Sequence, residues 1–322
     1  MNRPIRVAVT GPSGAIGYSI LFRIAAGDLF GPNQPVELRL LSRDTDQSRL
    51  RLKGVMMELA DCAFPLLADM SAHTDEKDLF DGAQCVFLIG AQPRKEGMDR
   101  ADLLRANGEI FRRQGRALNE CASRDARILV VGNPCNTNAF IAMRNAPDLA
   151  PECFSAMMRL DQNRATARLA EHLGLPVSGI EQVIVWGNHS NSMYPDIRFA
   201  RYRGKRVDNQ LDPQWQNEFI QNVATRGGQI IKARRQPLRQ QALRLTICAI
   251  GFWEVKDAVA PWRSLPTAAT AFRAASCSAS PVSAQAKGAI RSFRICRSRL
   301  KSKLISIKTA TSSSKRPRLF QT

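Results

Sequence analysis

Histidine is scarce in this chain: three residues, His73, His172 and His189, in 322. The eight cysteines form no C-x-x-C pair, and none has a histidine at metal-ligand spacing, which argues against a structural zinc site. Scattered thiols of this kind read as the reduced cysteines of a cytoplasmic protein. No apolar run approaches the roughly 18 residues of a membrane span, so no membrane partner is expected. A strand pattern already begins at Ile5 and leaves no room for a signal peptide ahead of it. Acids are missing from one end. Residues 234–322 carry only Glu254 and Asp257 against 18 lysines and arginines, whereas residues 1–233 hold 26 acids against 29 bases. The formal net charge of +19 therefore belongs to that end. The larger, nearly neutral part lacks the basic surface of a nucleic-acid-binding domain.

What is there begins with IRVAVTGPSGAIGYSILFRIA, residues 5–25. IRVAVT is a β-branched run of the kind buried in a parallel sheet. It leads into Gly11, Gly14 and Gly17, and then into a helical apolar pattern. Glycines let the chain turn tightly and let backbone N–H groups approach a pyrophosphate, which the following helix N-terminus favours. This order predicts dinucleotide binding. The next strand, VELRLL, ends at Ser42-Arg43-Asp44. An acid at this position holds the adenosine ribose hydroxyls, and an arginine nearby accommodates a 2′-phosphate. Asp44 suits NAD, Ser42 and Arg43 suit NADP, and both cofactors stay open. Further apolar runs at 85–90 and 127–134, separated by helical stretches, predict a Rossmann-type, doubly wound parallel sheet. Ligands should then sit at the carboxyl ends of its strands.

Those ends carry the chemistry. The loop GAQPRKEGMDRADLL holds Arg94 and Arg100 around Gly97; it reads as a solvated basic turn or as a closing, anion-binding loop. Asn107 follows at an expected helix start, Asn133 follows the 127–134 strand, and Asp161 and Arg164 open a helix in RLDQNRA. His189 follows a strand in WGNHSNS. Hydride transfer to a keto acid needs a proton donor active near neutral pH, and histidine supplies one. Asp161 is the carboxylate to orient it. Arg164 is the bidentate guanidinium for a substrate carboxylate. An arginine on a closing loop binds a second carboxylate, and closure expels water.

TGPSGAIGYSILFRIA, MELADCAFPLL, GAQPRKEGMDRADLL, VVGNPCNTNA, RLDQNRA and WGNHSNSMYPD together resemble the lactate/malate dehydrogenase family, and its malate enzymes in particular. The resemblance runs from about residue 4 to 234. It implies reversible hydride transfer between malate and NAD, giving oxaloacetate and NADH. His189 resembles the family's proton-transferring histidine and Asp161 its partner. Arg164 resembles the arginine that clamps the carboxylate next to the reacting carbon. Arg94 matches the loop arginine that selects a dicarboxylate, and Arg100 its neighbour facing the substrate. Asn133 resembles a contact to substrate and nicotinamide. Gly11, Gly14, Ala15, Ile16, Gly17, Asn107, Gln114, Val131, Gly132 and Asn133 line up with NAD contacts. The resemblance also implies a homodimer. A dinucleotide domain over 1–153 and an α+β substrate domain from 154 are expected, the latter incomplete after about residue 234.

From Arg235 the chain reads RQPLRQQALRL and the family pattern stops. A frameshift of one nucleotide accounts for the change. With one choice of codons, Ile-Asp-His-Met-Arg-Asp-Trp-Val-Leu-Gly read one base late gives Leu-Thr-Ile-Cys-Ala-Ile-Gly-Phe-Trp, residues 245–253 as they stand. Residues 261–281 decode in the same way. The expectation for 235–322 is a disordered, accidental tail and a chain with little or no activity. The alternative is a genuine basic extension: the Arg/Lys/Ser-rich stretch 291–320 would contact nucleic-acid phosphates.

Overall fold

The computed structural model describes residues 2–92, 100–207 and 211–234. Arg94, Gly97 and the whole of 235–322 lie outside the described residues. The side chain of Arg100 does so too.

Short apolar runs alternating with helices fold as the sequence predicts. Strands β1 (Ile5–Thr10), β2 (Val36–Leu41), β3 (Leu67–His73), β4 (Cys85–Leu88), β5 (Arg127–Val130) and β6 (Phe154–Ala156) stand in the order β3-β2-β1-β4-β5-β6. Every neighbouring pair is parallel. All four residues of β4 are buried, as a strand covered by helices on both faces requires. Successive side chains on a strand point to opposite faces. On β1, Val7 and Val9 join Leu38 and Leu40 in a core with Ile20, Leu21 and Ile24 of α1 (Ala15–Ala25) and Leu52 and Leu59 of α2 (Asp46–Asp61). Ala8 faces the other way, into a core with Leu79 and Phe80 of α3 (Glu76–Phe80), Phe111 and Leu118 of α4 (Arg100–Cys121), and Ala139 and Ala142 of α5 (Cys135–Arg144). Each fully buried Leu, Ile or Phe contributes about 1.5–3 kcal/mol over its exposed state. Strand order reverses at β1, between β2 and β4, so the carboxyl ends there flank the crevice where such sheets bind ligands.

Two expectations shift. The sheet takes in β6 beyond residue 153, because Phe154 pairs in register with Ile128 of β5. Asn107 lies inside α4 rather than at its start. The run RADLLRAN is made largely of good helix formers, so the helix already begins at Arg100.

The second region packs α6 (Arg159–Leu173) against α7 (Pro213–Arg234) and several short strands. Those strands are β7 (Ile180–Glu181), the antiparallel pair β8 (Ile184–Trp186) and β9 (Tyr194–Asp196), and the pair β10 (Arg201–Tyr202) and β11 (Lys205–Arg206). Phe219, Val223 and Ala224 of α7 recur at helical spacing and meet Ala165 and Leu169 of α6 with Val183 and Val185. The His172 ring stacks on Trp215 at 3.9 Å between centroids. His73 shares a 2.7 Å hydrogen bond with the Ser71 hydroxyl. Two of the three histidines thereby make contacts within the packed framework.

Candidate active site

The dinucleotide cradle is built where β1 ends. Gly11 adopts φ +68°, a conformation that glycine takes without a Cβ penalty. Gly14 is the N-cap of α1 and supplies no side-chain cap, so the first-turn N–H groups gain no side-chain acceptor. Gly17 lies so close to the loop that a Cβ on it would stand 2.2 Å from the Gly11 carbonyl oxygen. Helix and loop are thus in backbone contact, which brings the N–H groups and the helix dipole onto one surface, as a pyrophosphate requires. Ala15 is exposed and Ile16 partly so. The neighbouring strand ends are tied together: Gly90 N–H donates to the Thr10 hydroxyl at 3.0 Å, and the Val131 and Gly132 N–H groups both donate to the Leu88 carbonyl. Asn133 stands exposed just beyond. These residues fit a dinucleotide.

The second part of the site is a buried relay. Asp161, in the first turn of α6, is fully buried. One of its oxygens lies 2.5 Å from Nδ1 of His189 and the other accepts from Nη1 of Arg164 at 2.9 Å. Arg164 stands one turn later on the same helix, the spacing at which side chains become neighbours. An ionised carboxylate only accepts, so the imidazole meets it through an Nδ1–H and keeps Nε2 as its other polar atom. A carboxylate buried alone would be costly; the Arg164 guanidinium and the imidazole N–H satisfy both oxygens. The side chains of His189 and Arg164 keep 31% and 14% of their surface, enough to meet a small ligand. Gln162 fixes the helix beside β8 by donating to the Val183 carbonyl at 2.9 Å.

Two further residues support this arrangement, and nothing in their spacing announces them. The Asn136 side-chain oxygen accepts from the His189 backbone N–H at 3.0 Å and from the Cys135 thiol at 3.4 Å. It ties the start of α5 to the histidine loop across 53 positions. Asn138 donates to the Gly132 carbonyl at 2.8 Å and braces the turn after β5. Burial pushes the Cys135 thiol up to about 12, and the Asp161 charge adds to the shift; this cysteine is a packed, neutral group and not a nucleophile.

The structure brings Gly11, Gly14, Ala15, Ile16, Gly17, Val131, Gly132 and Asn133 to the ends of β1 and β5, and joins Asp161, Arg164 and His189 directly. Asn107 and Gln114 have other surroundings. Both are buried, at 0% and 2% exposed, and present no surface to a dinucleotide. The Asn107 amide accepts from the Gln92 N–H at 2.7 Å and donates to the Gln92 carbonyl at 3.2 Å, so it holds the start of the loop after β4. Asp44 is turned toward α2, where its carboxylate pairs with Arg49. A cavity of about 450 Å³ lined by Ser42, Met56, Met57, Met70 and His73 lies between α2 and β3 and does not include His189. Among the described residues no group of His, Cys, Asp and Glu is arranged to hold a metal ion.

Comparison with known proteins agrees with this geometry. The chain matches the family described as lactate/malate dehydrogenase, NAD binding domain, over residues 5–155, and its alpha/beta C-terminal domain over residues 158–248. The second match runs past Arg234. Among solved structures, malate dehydrogenase from Naegleria fowleri is 44% identical, with a TM-score of 0.73 over 79% of this chain and 77% of that one. Lactate dehydrogenase from Trichomonas vaginalis, described in complex with NADH and oxamate, is 38% identical, with a TM-score of 0.71 over 78% and 76%. Malate dehydrogenase from Picrophilus torridus, 19% identical with a TM-score of 0.61 over 78% and 76%, shares the fold.

Proposed function

Because this chain belongs to the lactate/malate dehydrogenase family, a family of NAD-dependent oxidoreductases, we propose that its site is that of a malate dehydrogenase. The reaction is reversible transfer of hydride between malate and NAD, giving oxaloacetate and NADH. The Arg164–Asp161–His189 chain carries this assignment. Similar structures include both malate and lactate enzymes, so substrate choice rests on this chain's own residues. Arg94 supports the dicarboxylate: a second guanidinium matches a second carboxylate, and a monocarboxylate would leave it unpaired.

In the oxidation of malate, Arg164 holds the carboxylate beside the reacting carbon in a fork of two N–H donors. His189 takes the hydroxyl proton at Nε2, and Asp161 stabilises the imidazolium that results. By resemblance, Arg94 and Arg100 are the residues proposed to bind the dicarboxylate, together with Asn133. The dinucleotide, when bound, accepts the hydride; Gly11, Gly14, Ala15, Ile16 and Gly17 would hold its pyrophosphate, with Val131 and Gly132 lining the way to Asn133. Reduction of oxaloacetate reverses each of these proton and charge assignments.

The protein is proposed to act as a cytoplasmic homodimer without a nucleic-acid role. No described helix is long and apolar enough to cross a membrane, and Leu50 and Met57 stand 72% and 60% exposed on α2, where a second copy would cover them. Sedimentation at the mass of one chain would remove the dimer. The segment 235–322 is proposed to be out of frame. Gly227 of α7 would place a Cβ 3.7 Å from Arg164, so α7 borders the site and the segment after α7 matters to turnover. Sequencing the coding DNA across residues 233–246 tests this point; a confirmed frame there would remove the frameshift.

The substrate assignment is tested by binding, which needs no turnover. With NADH bound, the dicarboxylate tartronate should quench nucleotide fluorescence at concentrations at least about tenfold below the monocarboxylate oxamate, since each added charged pair contributes about 1.5–3 kcal/mol. Tighter binding of oxamate would overturn the assignment.

A further inference from the structure

We propose that the β10–β11 hairpin is a docking surface for an anionic lipid membrane, which it meets through its basic side chains and through Phe199 just ahead of β10. Residues 198–206 read RFARYRGKR, five bases and no acid. Arg203, Lys205 and Arg206 are exposed, and Phe199 keeps 47% of its surface.

Two features of the hairpin work against its own stability. Arg201 and Arg206 stand directly opposite each other in the antiparallel register, and like charges so placed are destabilising. Arg203, in the turn, adopts φ +47°, followed by Gly204 at φ +78°. A two-residue turn with both residues left-handed prefers Asn or Gly at its first position, and an arginine there is uncommon. Both costs fall on basic residues. An anionic surface laid against the strands relieves the first, and the second sets a cation at the point of the turn.

The charges are only partly met within the chain. Asp196 holds Arg198 through both oxygens, at 2.9 and 2.7 Å, and Glu181 of β7 stands opposite Arg201. Arg201 donates to the Gln182 amide oxygen at 3.3 Å and to the Gly204 carbonyl at 2.8 Å. No ion pair engages Arg203 or Lys205 among the described residues. A single-stranded nucleic acid would bind by stacking bases on aromatic rings. Both rings here are covered: Arg198 lies over Phe199 at 5.7 Å from its centroid and Arg203 over Tyr202 at 5.4 Å. A Cβ on Gly179 would also stand 2.4 Å from the Tyr202 ring, so that ring is packed against the backbone. Surface cations beside an exposed phenyl group fit anionic headgroups and the apolar layer beneath them, and such a contact needs no membrane-crossing helix.

The test is partitioning of the full chain onto vesicles of phosphatidylcholine and phosphatidylserine in equal parts, with hydrogen exchange read in the same samples. The bases of residues 234–322 add attraction of their own, so the decisive readouts are local to the hairpin. Exchange across 198–206 should slow when these vesicles are added and stay unchanged with phosphatidylcholine alone. Each basic residue near such a surface strengthens binding about fivefold, so Arg203→Asn combined with Lys205→Gln should weaken it by about 25-fold. The melting temperature should not fall, because Asn suits a left-handed turn position. Phe199→Ser should weaken vesicle binding by about tenfold. Unchanged exchange across 198–206, or a double variant that binds within about twofold of its parent, would overturn the proposal, since the attraction would then come from bases elsewhere. Tighter binding of a single-stranded RNA than of the vesicles, lost in the same double variant, would overturn the choice of a lipid surface.

Discussion

Adding one methyl group to Gly17 should disable the dinucleotide cradle. A Cβ there would meet Gly11 O at 2.2 Å, Pro12 Cα at 2.8 Å and the Gly11 carbonyl carbon at 2.9 Å. All three are backbone atoms, which cannot swing aside as a side chain would. Relief of the closest contact requires helix and loop to part by about 1 Å. Overpacking of this kind costs about 1–3 kcal/mol, and replacing a helical glycine by alanine returns up to about 1 kcal/mol. The net loss is about 1–2 kcal/mol, or a melting temperature lower by roughly 2–8 °C for a domain of this size. Binding should suffer more, because the displaced N–H groups are those aimed at the pyrophosphate. Loss of one hydrogen bond to a charged group, about 1.5–3 kcal/mol, weakens binding by about 10- to 150-fold. Gly14→Ala is the control. Its Cβ would lie 3.3 Å from Gly11 O at φ −79°, a far milder contact, so the cost is mainly that of a poorer N-cap, about 0.5–1.5 kcal/mol. NADH titration and calorimetry on both variants provide the assay. A Gly17→Ala chain that binds NADH like its parent would refute this geometry, and so would a Gly14→Ala chain that loses as much.

Other consequences are equally specific. Asp161→Ala leaves Arg164 and His189 facing a buried gap and should lower stability by about 3–5 kcal/mol; a calorimetric change under about 1 kcal/mol would contradict the relay. Asn136→Ala removes the acceptor of the His189 N–H and should cost about 1–3 kcal/mol, with faster hydrogen exchange at the His189 amide; unchanged exchange would exclude the tie between α5 and the histidine loop. Cys135, its thiol raised to about 12, should resist iodoacetamide in the native chain at pH 8 while exposed Cys62 reacts, and equal rates would contradict its burial. The fold keeps that thiol protonated, so its contribution to stability is present below the ordinary thiol range and is lost as pH rises from about 9 toward 12.

Much of this site is legible because its parts are local. Gly11, Gly14 and Gly17 sit between a β-branched run and a helix, and that order alone specifies a strand, a turn and a helix N-terminus. Asp161 and Arg164 are three apart on a helix, so their proximity comes from the helix itself. His189 is distinguishable from His172 because it lies among turn residues after a strand, whereas His172 continues a helical pattern and stacks on Trp215. The features that are not legible depend on contacts between distant segments. Asn136 is one of several asparagines in GNPCNTN, and only the fold brings it to His189. Asn107 is named by resemblance, yet its burial and its grip on Gln92 arise from packing of α4 beside the loop after β4. The pairing of Asp44 with Arg49 depends on how α2 leaves β2. The sixth strand is three residues long, too short for its pattern to stand out.

The most direct measurement is the rate of NADH oxidation with oxaloacetate and with pyruvate, by the chain as written and by a chain whose reading frame is restored after Arg234. The restored chain should favour oxaloacetate over pyruvate by about 100-fold or more in kcat/KM, as a charged group left without its partner demands. The chain as written should turn over at a small fraction of the restored rate. A preference for pyruvate, or equal rates from the two chains, would contradict the assignment of a malate site completed by the segment after α7.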